Sequence, residues 1–237
     1  IIGRLVGSEM CIRDSTYGNK KNYRINNFNS VEELCLAYLE DESLQNINKA
    51  IIGVAAPILG DKVSFVNTNL EFSIKNLKKK IFSGGLIVVN DLELQAHALF
   101  NLKAGDLSYI GQKKLTVGPK VLVAPGTGLG LAGILGETVI ATEAGHINIV
   151  DKELRPDLKV IVDRFTNENN RAPTFEDFLS GKGITYFYQT FSGKTNLELS
   201  SEEILLARGN KYSLQSIDLL NYLLSSYLRY MALVWGS

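Results

Sequence analysis

The sequence is poor in the residues that build metal centres and covalent frameworks. Cysteine occurs twice, at Cys11 and Cys35. Two are too few for a disulfide framework, and the expectation is a protein of the reducing cytoplasm. Histidine also occurs twice, at His97 and His146, and there is no Cys-x-x-Cys pair. A structural zinc site is therefore disfavoured, and no residue is assigned as a metal ligand. Net charge is missing too: 25 Lys and Arg balance 25 Asp and Glu in 237 residues. A balanced chain has no electrostatic reason to bind nucleic acid or an anionic membrane. The longest apolar helix candidate, residues 214–235, is broken by Asp218, Asn221 and Arg229, which predicts a packed helix and not a bilayer span. Arg4 and Glu9 interrupt any apolar signal-peptide core. There is no internal repeat and no low-complexity linker.

What is present is a hydrophobic fraction of 45%, enough for one large domain or two smaller ones. The run Gly7-Ser8-Glu9-Met10-Cys11-Ile12-Arg13-Asp14-Ser15 resembles translated adapter sequence. Residues 1–15 are therefore expected to be non-native and to make few core contacts, the alternative being a genuine N-terminal strand and loop. A short strand is predicted at 23–25. Ser30, with Glu33 three residues on, reads as a capping box opening a helix to about residue 41. The continuous apolar run 50–56 reads as a strand buried on both faces, as does 86–89. The alternating stretch 62–67 reads as a half-buried strand, and Ser73 as the cap of a helix to about residue 82. A helix is expected over 92–102 and a strand over 120–124. Short strands containing Gly133 and Gly136 follow, and from about residue 154 the chain reads as helical to its end. Buried strands alternating with helices, then a helix-rich part, predict an α/β fold with at least one largely parallel sheet.

Three constellations carry chemistry. Gly126-Thr127-Gly128-Leu129-Gly130 follows a strand and lets backbone N–H groups approach an anion closely. A dinucleotide fingerprint would need glycine where Leu131 stands, and the Gly-Lys-Ser/Thr ending of a P-loop is absent. Taken alone, the loop is equally a tight hairpin without a ligand. Asn90-Asp91 end a buried strand, where open α/β sheets bind ligands. Asp91 there is either a proton acceptor or a cap of the following helix. Glu143 and His146, separated by Ala144-Gly145, and Glu176 before Asp177-Phe178-Leu179-Ser180-Gly181 offer groups that hold pairs of hydroxyls. Each on its own is more often a surface carboxylate or a satisfied histidine. His97 reads as structural.

In their order these elements resemble the bacterial glucokinases of the hexokinase–actin superfamily, over most of residues 20–235. The resemblance also takes in Ala56-Pro57-Ile58-Leu59-Gly60-Asp61, the strand to Asn67, and Glu71-Phe72-Ser73-Ile74. It implies an α/β actin-like, ribonuclease H-like two-domain sugar kinase fold, here incomplete. The smaller α/β domain would span 16–105. The larger one, with its helix-rich C-terminal part, would span 106–237. The implied activity is ATP-dependent phosphorylation of glucose to glucose 6-phosphate, with ATP and Mg²⁺ as cofactors. The alternatives are a sugar-sensing regulatory protein without activity and a kinase for another hexose. Asp91 would be the catalytic base toward the 6-hydroxyl. Asn67, Asn90, Glu143, His146 and Glu176 would hold the sugar together with Asp91, and Gly126, Thr127, Gly128 and Gly130 would cradle phosphate. Glucose and ATP would be the partners, with no nucleic acid and no membrane, and a homodimer is left open. No cysteine-rich zinc motif accompanies Glu143 and His146, which favours the non-zinc glucokinase branch. The chain departs from the family in lacking the Asp-x-Gly-Gly-Thr-Asn loop expected before Tyr23 and in stopping at Ser237. It is therefore expected to be truncated at both ends. Val66, Leu70 and Pro125 stand where Thr, Trp and a small residue are common.

Overall fold

The computed structural model describes residues 2–6, 9–13, 21–56, 58–65, 70–102, 104–110, 118–149, 154–194, 199–207 and 209–236. For 2–6, 9–13 and 104 it describes the backbone alone. The chain divides into two compact units, Ile1–Gly111 and Gln112–Ser237.

The first unit runs β1 (Ile2–Val6), β2 (Glu9–Arg13), β3 (Lys21–Arg24), α1 (Val31–Asp41), β4 (Lys49–Val54), β5 (Lys62–Ser64), β6 (Glu71–Ser73), α2 (Ile74–Lys80), β7 (Gly85–Asn90) and α3 (Asp91–Leu99). The main sheet has the order β3-β2-β1-β4-β7. Strands β1, β4 and β7 are parallel, β2 pairs antiparallel with β1, and β3 pairs antiparallel with β2. The register aligns Leu5 with Val54 and Val54 with Asn90, so the three parallel strands end along one edge. Helix α1 covers the sheet because its apolar residues recur at helical spacing: Val31, Leu34, Cys35 and Tyr38 are all buried. They meet Ile52 and Val54 of β4, Val63, Phe72 and Leu77 from the β5–β6 hairpin and α2, and Phe82 just after α2.

Ser30 caps α1 as expected, its Oγ accepting the Glu33 N–H at 3.1 Å. The Glu33 carboxylate, however, accepts from the Asn29 N–H at 2.8 Å. The reciprocal half of the box is thus displaced by one residue. Ser73 caps α2, accepting the Asn76 N–H at 3.1 Å. Lys78, Lys79 and Lys80 lie in the last turn of α2, where the helix dipole favours cations. The run 86–89 predicts burial on both faces, but β7 ends the described strand order and Ile87 is 56% exposed. An edge strand has one neighbour, which leaves part of it open. The segment 1–15, expected to contribute little, carries β1 and β2, with β1 between β2 and β4. Pairing along a free strand edge is open to any extended segment, so it bears on where 2–13 lies and not on its origin.

The second unit runs β8 (Lys120–Pro125), β9 (Leu129–Leu135), β10 (Thr138–Thr142), α4 (Pro156–Asn169), α5 (Phe175–Phe178), α6 (Gly181–Ser192), α7 (Ser201–Leu206) and α8 (Lys211–Trp235). The three strands form an antiparallel meander with β9 in the middle. Helix α8 turns a stripe spaced four residues apart inward: Leu219, Leu223, Tyr227 and Met231. These pack with Leu158 and Ile161 of α4, Phe178 of α5, Phe187 of α6 and Leu131 of β9. Among the described residues no helix is long and apolar enough to cross a membrane.

Candidate functional site

In the first unit the chemistry lies at the junction of β7 and α3. Asn90 is the N-cap of α3, its Oδ1 accepting the Leu92 N–H at 2.9 Å. Asp91 is the first helical residue, and its Oδ1 shares that same N–H at 2.9 Å. The capping role that the sequence leaves open for Asp91 therefore falls first to Asn90. Asp91 is only 5% exposed, a buried carboxylate at the positive end of the α3 dipole. Its place depends on Gly53 in β4. A Cβ there would stand 2.8 Å from Leu94 Cδ2 and 3.4 Å from Asp91 Cα. The missing side chain at Gly53 lets the first turn of α3 lie this close to the strand without displacing Leu94. The sequence shows Gly53 merely as part of an apolar run. Asn67 lies outside the described residues.

In the second unit the glycine segment is the turn between β8 and β9. The Gly126 N–H donates to the Gly128 carbonyl at 2.8 Å. The Gly126 carbonyl accepts the Gly181 N–H, at the start of α6, also at 2.8 Å. The Leu129 N–H donates to Glu176 Oε2 at 3.0 Å. Gly130 lies within β9, paired with Ala124. Of the turn's donors, those of Thr127 and Gly128 make no hydrogen bond among the described residues. The anion-binding potential of the sequence motif thus narrows to two N–H groups. An open cleft of about 530 Å³ adjoins them, lined by Gly126, Thr127, Gly181, Lys182, Gln189 and Ser201. The contribution of α6 carries no local sequence signal beyond Ser180-Gly181.

Glu143, His146 and Glu176 come together beside this turn. Residues Ala144–His146 form a single 3-10 turn rather than an α-helix. Gly145 in it rests against Leu129, so closely that a Cβ would overlap the Leu129 carbonyl oxygen. His146 Nε2 is 3.5 Å from Glu143 Oε2, and Nδ1 is 3.9 Å from Glu176 Oε1. The two carboxylates face opposite edges of the imidazole, an arrangement that cannot close on one ion. Among the described residues no group of His, Cys, Asp and Glu forms a metal site. The set instead presents acceptors and a ring nitrogen to a ligand rich in hydroxyls. Glu176 lies in α5, at whose start Thr174 and Asp177 form a reciprocal capping box. Arg171 fixes Asp177 with two hydrogen bonds of 2.7 Å. A separate cavity of about 330 Å³ lies under α8, lined mainly by apolar groups such as Ile149, Leu158, Phe175 and Met231. It lacks the convergent polar groups that a polyol requires.

A family model described as Glucokinase matches residues 6–236. The glucokinase of Neisseria gonorrhoeae is 31% identical over 176 residues, covering 72% of this chain and 53% of that protein. The glucokinase of Neisseria meningitidis serogroup B is 28% identical over 221 residues, covering 89% of this chain and 66% of that protein. The chain thus spans between 53% and 66% of the length of these curated relatives. Among solved structures, a glucokinase from an Antarctic psychrotroph matches with a TM-score of 0.75 at 22% identity, over 99% of this chain and 79% of that one. A ROK family glucokinase from Streptomyces griseus, in complex with glucose and AMPPNP, matches with a TM-score of 0.68 at 15% identity, over 99% and 79%. The chain therefore has the mixed α/β, actin-like fold of these sugar kinases.

Proposed function

The chain belongs to the glucokinase family, and from that premise we propose that the protein transfers the γ-phosphoryl group of ATP to the 6-hydroxyl of glucose, giving glucose 6-phosphate and ADP. The observation that carries this reading is the gathering of Glu143, His146 and Glu176 beside a turn with two uncommitted N–H groups. Groups for hydroxyls and groups for phosphate thus adjoin each other.

Asp91 accepts the proton of the 6-hydroxyl as the oxygen attacks phosphorus, and the bond from the γ-phosphorus to the bridging oxygen of ADP breaks. Asn90 keeps its Oδ1 on Leu92 and has its amide NH₂ to donate to a second hydroxyl. Glu143, His146 and Glu176 hold further hydroxyls and so fix the sugar's orientation. Phosphoryl transfer asks little covalent chemistry of a protein, so positioning and charge stabilisation supply most of the rate. The Thr127 and Gly128 N–H groups meet phosphate oxygens, and Lys182 on the cleft wall adds a positive charge. Mg²⁺ bound with the phosphates would supply neutralisation of their charge, since it favours substrate oxygens and waters over an all-protein cage. A kinase that draws on ATP and glucose in this way belongs in the cytoplasm.

Asp91→Asn tests the reading, assayed in a chain extended to the relatives' full length. The amide keeps the shape and an acceptor for the Leu92 N–H, but it cannot take a proton. Turnover is expected to fall by about 10²–10⁴-fold, while glucose binding by calorimetry stays within a few-fold of the parent, because a base acts chiefly in the transition state. Turnover near the parent rate would remove Asp91 from the chemistry.

A further inference from the structure

We propose that Glu176 is a positioning residue linking the sugar site to the phosphate turn, so that a hydroxyl on one of its oxygens stiffens the loop held by the other. The proposal rests on the glucose reading above and adds to it a coupling between the two substrates.

Among the described residues the carboxylate is held by a hydrogen bond at one end only. Oε2 accepts the Leu129 N–H at 3.0 Å, whereas Oε1 lies 3.9 Å from His146 Nδ1, too far for a hydrogen bond. The last torsion of a glutamate is broad, so a single hydrogen bond leaves the carboxylate free to swivel. Its backbone is not free, because the capping box and Arg171 lock α5. Motion is therefore confined to the side chain. The turn it serves is tied on the far side, where the Gly181 N–H holds the Gly126 carbonyl. On the near side Leu129 is gripped twice: Gly145 bears on its carbonyl, and Glu176 takes its N–H. Gly128 makes this grip feasible, since a Cβ there would stand 2.5 Å from Glu176 Oε2. The directions of the Thr127 and Gly128 N–H groups thus hang on the plane of the Glu176 carboxylate.

A sugar hydroxyl donating to Oε1 fixes that plane. The ordering that a phosphate would otherwise impose on the turn is then already met, so the nucleotide binds more tightly to the sugar-loaded protein. By linkage the reverse holds to the same factor. The turn and the sugar contacts communicate without any large displacement.

The test uses the chain extended to the relatives' full length, with glucose titrated calorimetrically and amide exchange followed at Leu129. Glucose is expected to slow Leu129 exchange about 5-fold or more, the lower end of typical coupling. Gly128→Ala makes no sugar contact, yet it should weaken glucose binding to a similar extent by displacing the carboxylate. Glu176→Gln keeps an acceptor for Leu129 and should preserve the exchange response, whereas Glu176→Ala should lose it even at saturating glucose. If glucose binds but Leu129 exchange does not respond, or Gly128→Ala binds glucose as tightly as the parent, the coupling is overturned and the glucose reading stands. If Gly128→Ala does not fold, the two Glu176 variants decide by the same exchange criterion. A parent chain that takes up no glucose overturns the glucose reading and this inference with it.

Discussion

Tyr227 carries an unresolved expense inside α8. Its ring is fully buried, with its centroid 4.9 Å from that of Phe175. Its hydroxyl nevertheless finds no hydrogen-bond partner among the described residues. Burial pushes the phenol's pKa up to about 12, so the group is neutral across the working range. An unsatisfied buried hydroxyl costs about 1–3 kcal/mol. Tyr227→Phe keeps the ring and removes the oxygen, and it should raise stability by about 1 kcal/mol, read as a higher urea midpoint. A lower midpoint would show that the hydroxyl has a partner after all. Gly53 presents the opposite case, a missing atom that is needed. Gly53→Val forces a side chain against Leu94 and the start of α3. Overpacking of this kind typically costs about 1–3 kcal/mol. The variant should also lose turnover out of proportion to its glucose affinity, because Asp91 moves with the helix. Parent-like kinetics in a folded Gly53→Val protein would show that α3 tolerates the shift.

The β5–β6 hairpin and α2 depend on one carboxylate. Asp61 accepts the Ser73 Oγ–H at 2.6 Å and the Lys75 N–H at 2.8 Å. The Ser73 hydroxyl first, and then the Lys75 N–H, hold its pKa below the ordinary 3.8. A lowered folded-state value means that Asp61 stabilises the fold fully above the ordinary value, and that this contribution fades as pH falls through the lowered one. The difference in urea midpoint between parent and Asp61→Asn should therefore be constant near neutrality and shrink below pH 3.8. A difference unchanged in acid would free Asp61 from this role. Elements such as α1 and α2 are legible in the sequence because one local rule defines each: a serine cap and an apolar stripe. The exposure of β7 is not, since it depends on which strand ends the sheet. Nor is the choice between Asn90 and Asp91 as cap. Both residue types cap helices, and only the backbone at Asn90, with φ −59° and ψ 148°, decides it. The gathering of Glu143, His146 and Glu176 is suggested only by their types. The hydrogen bond from Leu129 to Glu176 crosses 47 residues and has no local signature. Gly128 and Gly145 are its one trace, legible as glycines but not as points of contact.

Each unit has a core of its own, and this sets how the protein should respond to a core cavity. Leu77 is fully buried in the first unit, among Val63, Phe72 and Phe82. Leu77→Ala should cost about 2–5 kcal/mol there. The single tryptophan, Trp235, belongs to the second unit and reports on it alone. The variant should bring forward part of the far-UV circular dichroism transition and leave the midpoint of tryptophan emission where it was. Equal shifts in both signals would mean that the chain unfolds in one step.

The indole of Trp235 also closes over Gly133, where any Cβ would overlap it. The strand thus receives its cover from the far end of the unit. During synthesis at about 5–20 residues per second, roughly 5–20 s separate the emergence of Gly133 from that of Trp235. For that interval residues 1–111 have already emerged, while β9 at Gly133 waits on the ribosome without its indole cover. A nascent-chain chaperone would find its task there, and slowing of elongation by rare codons after residue 133 would lengthen the exposure and raise the aggregated fraction.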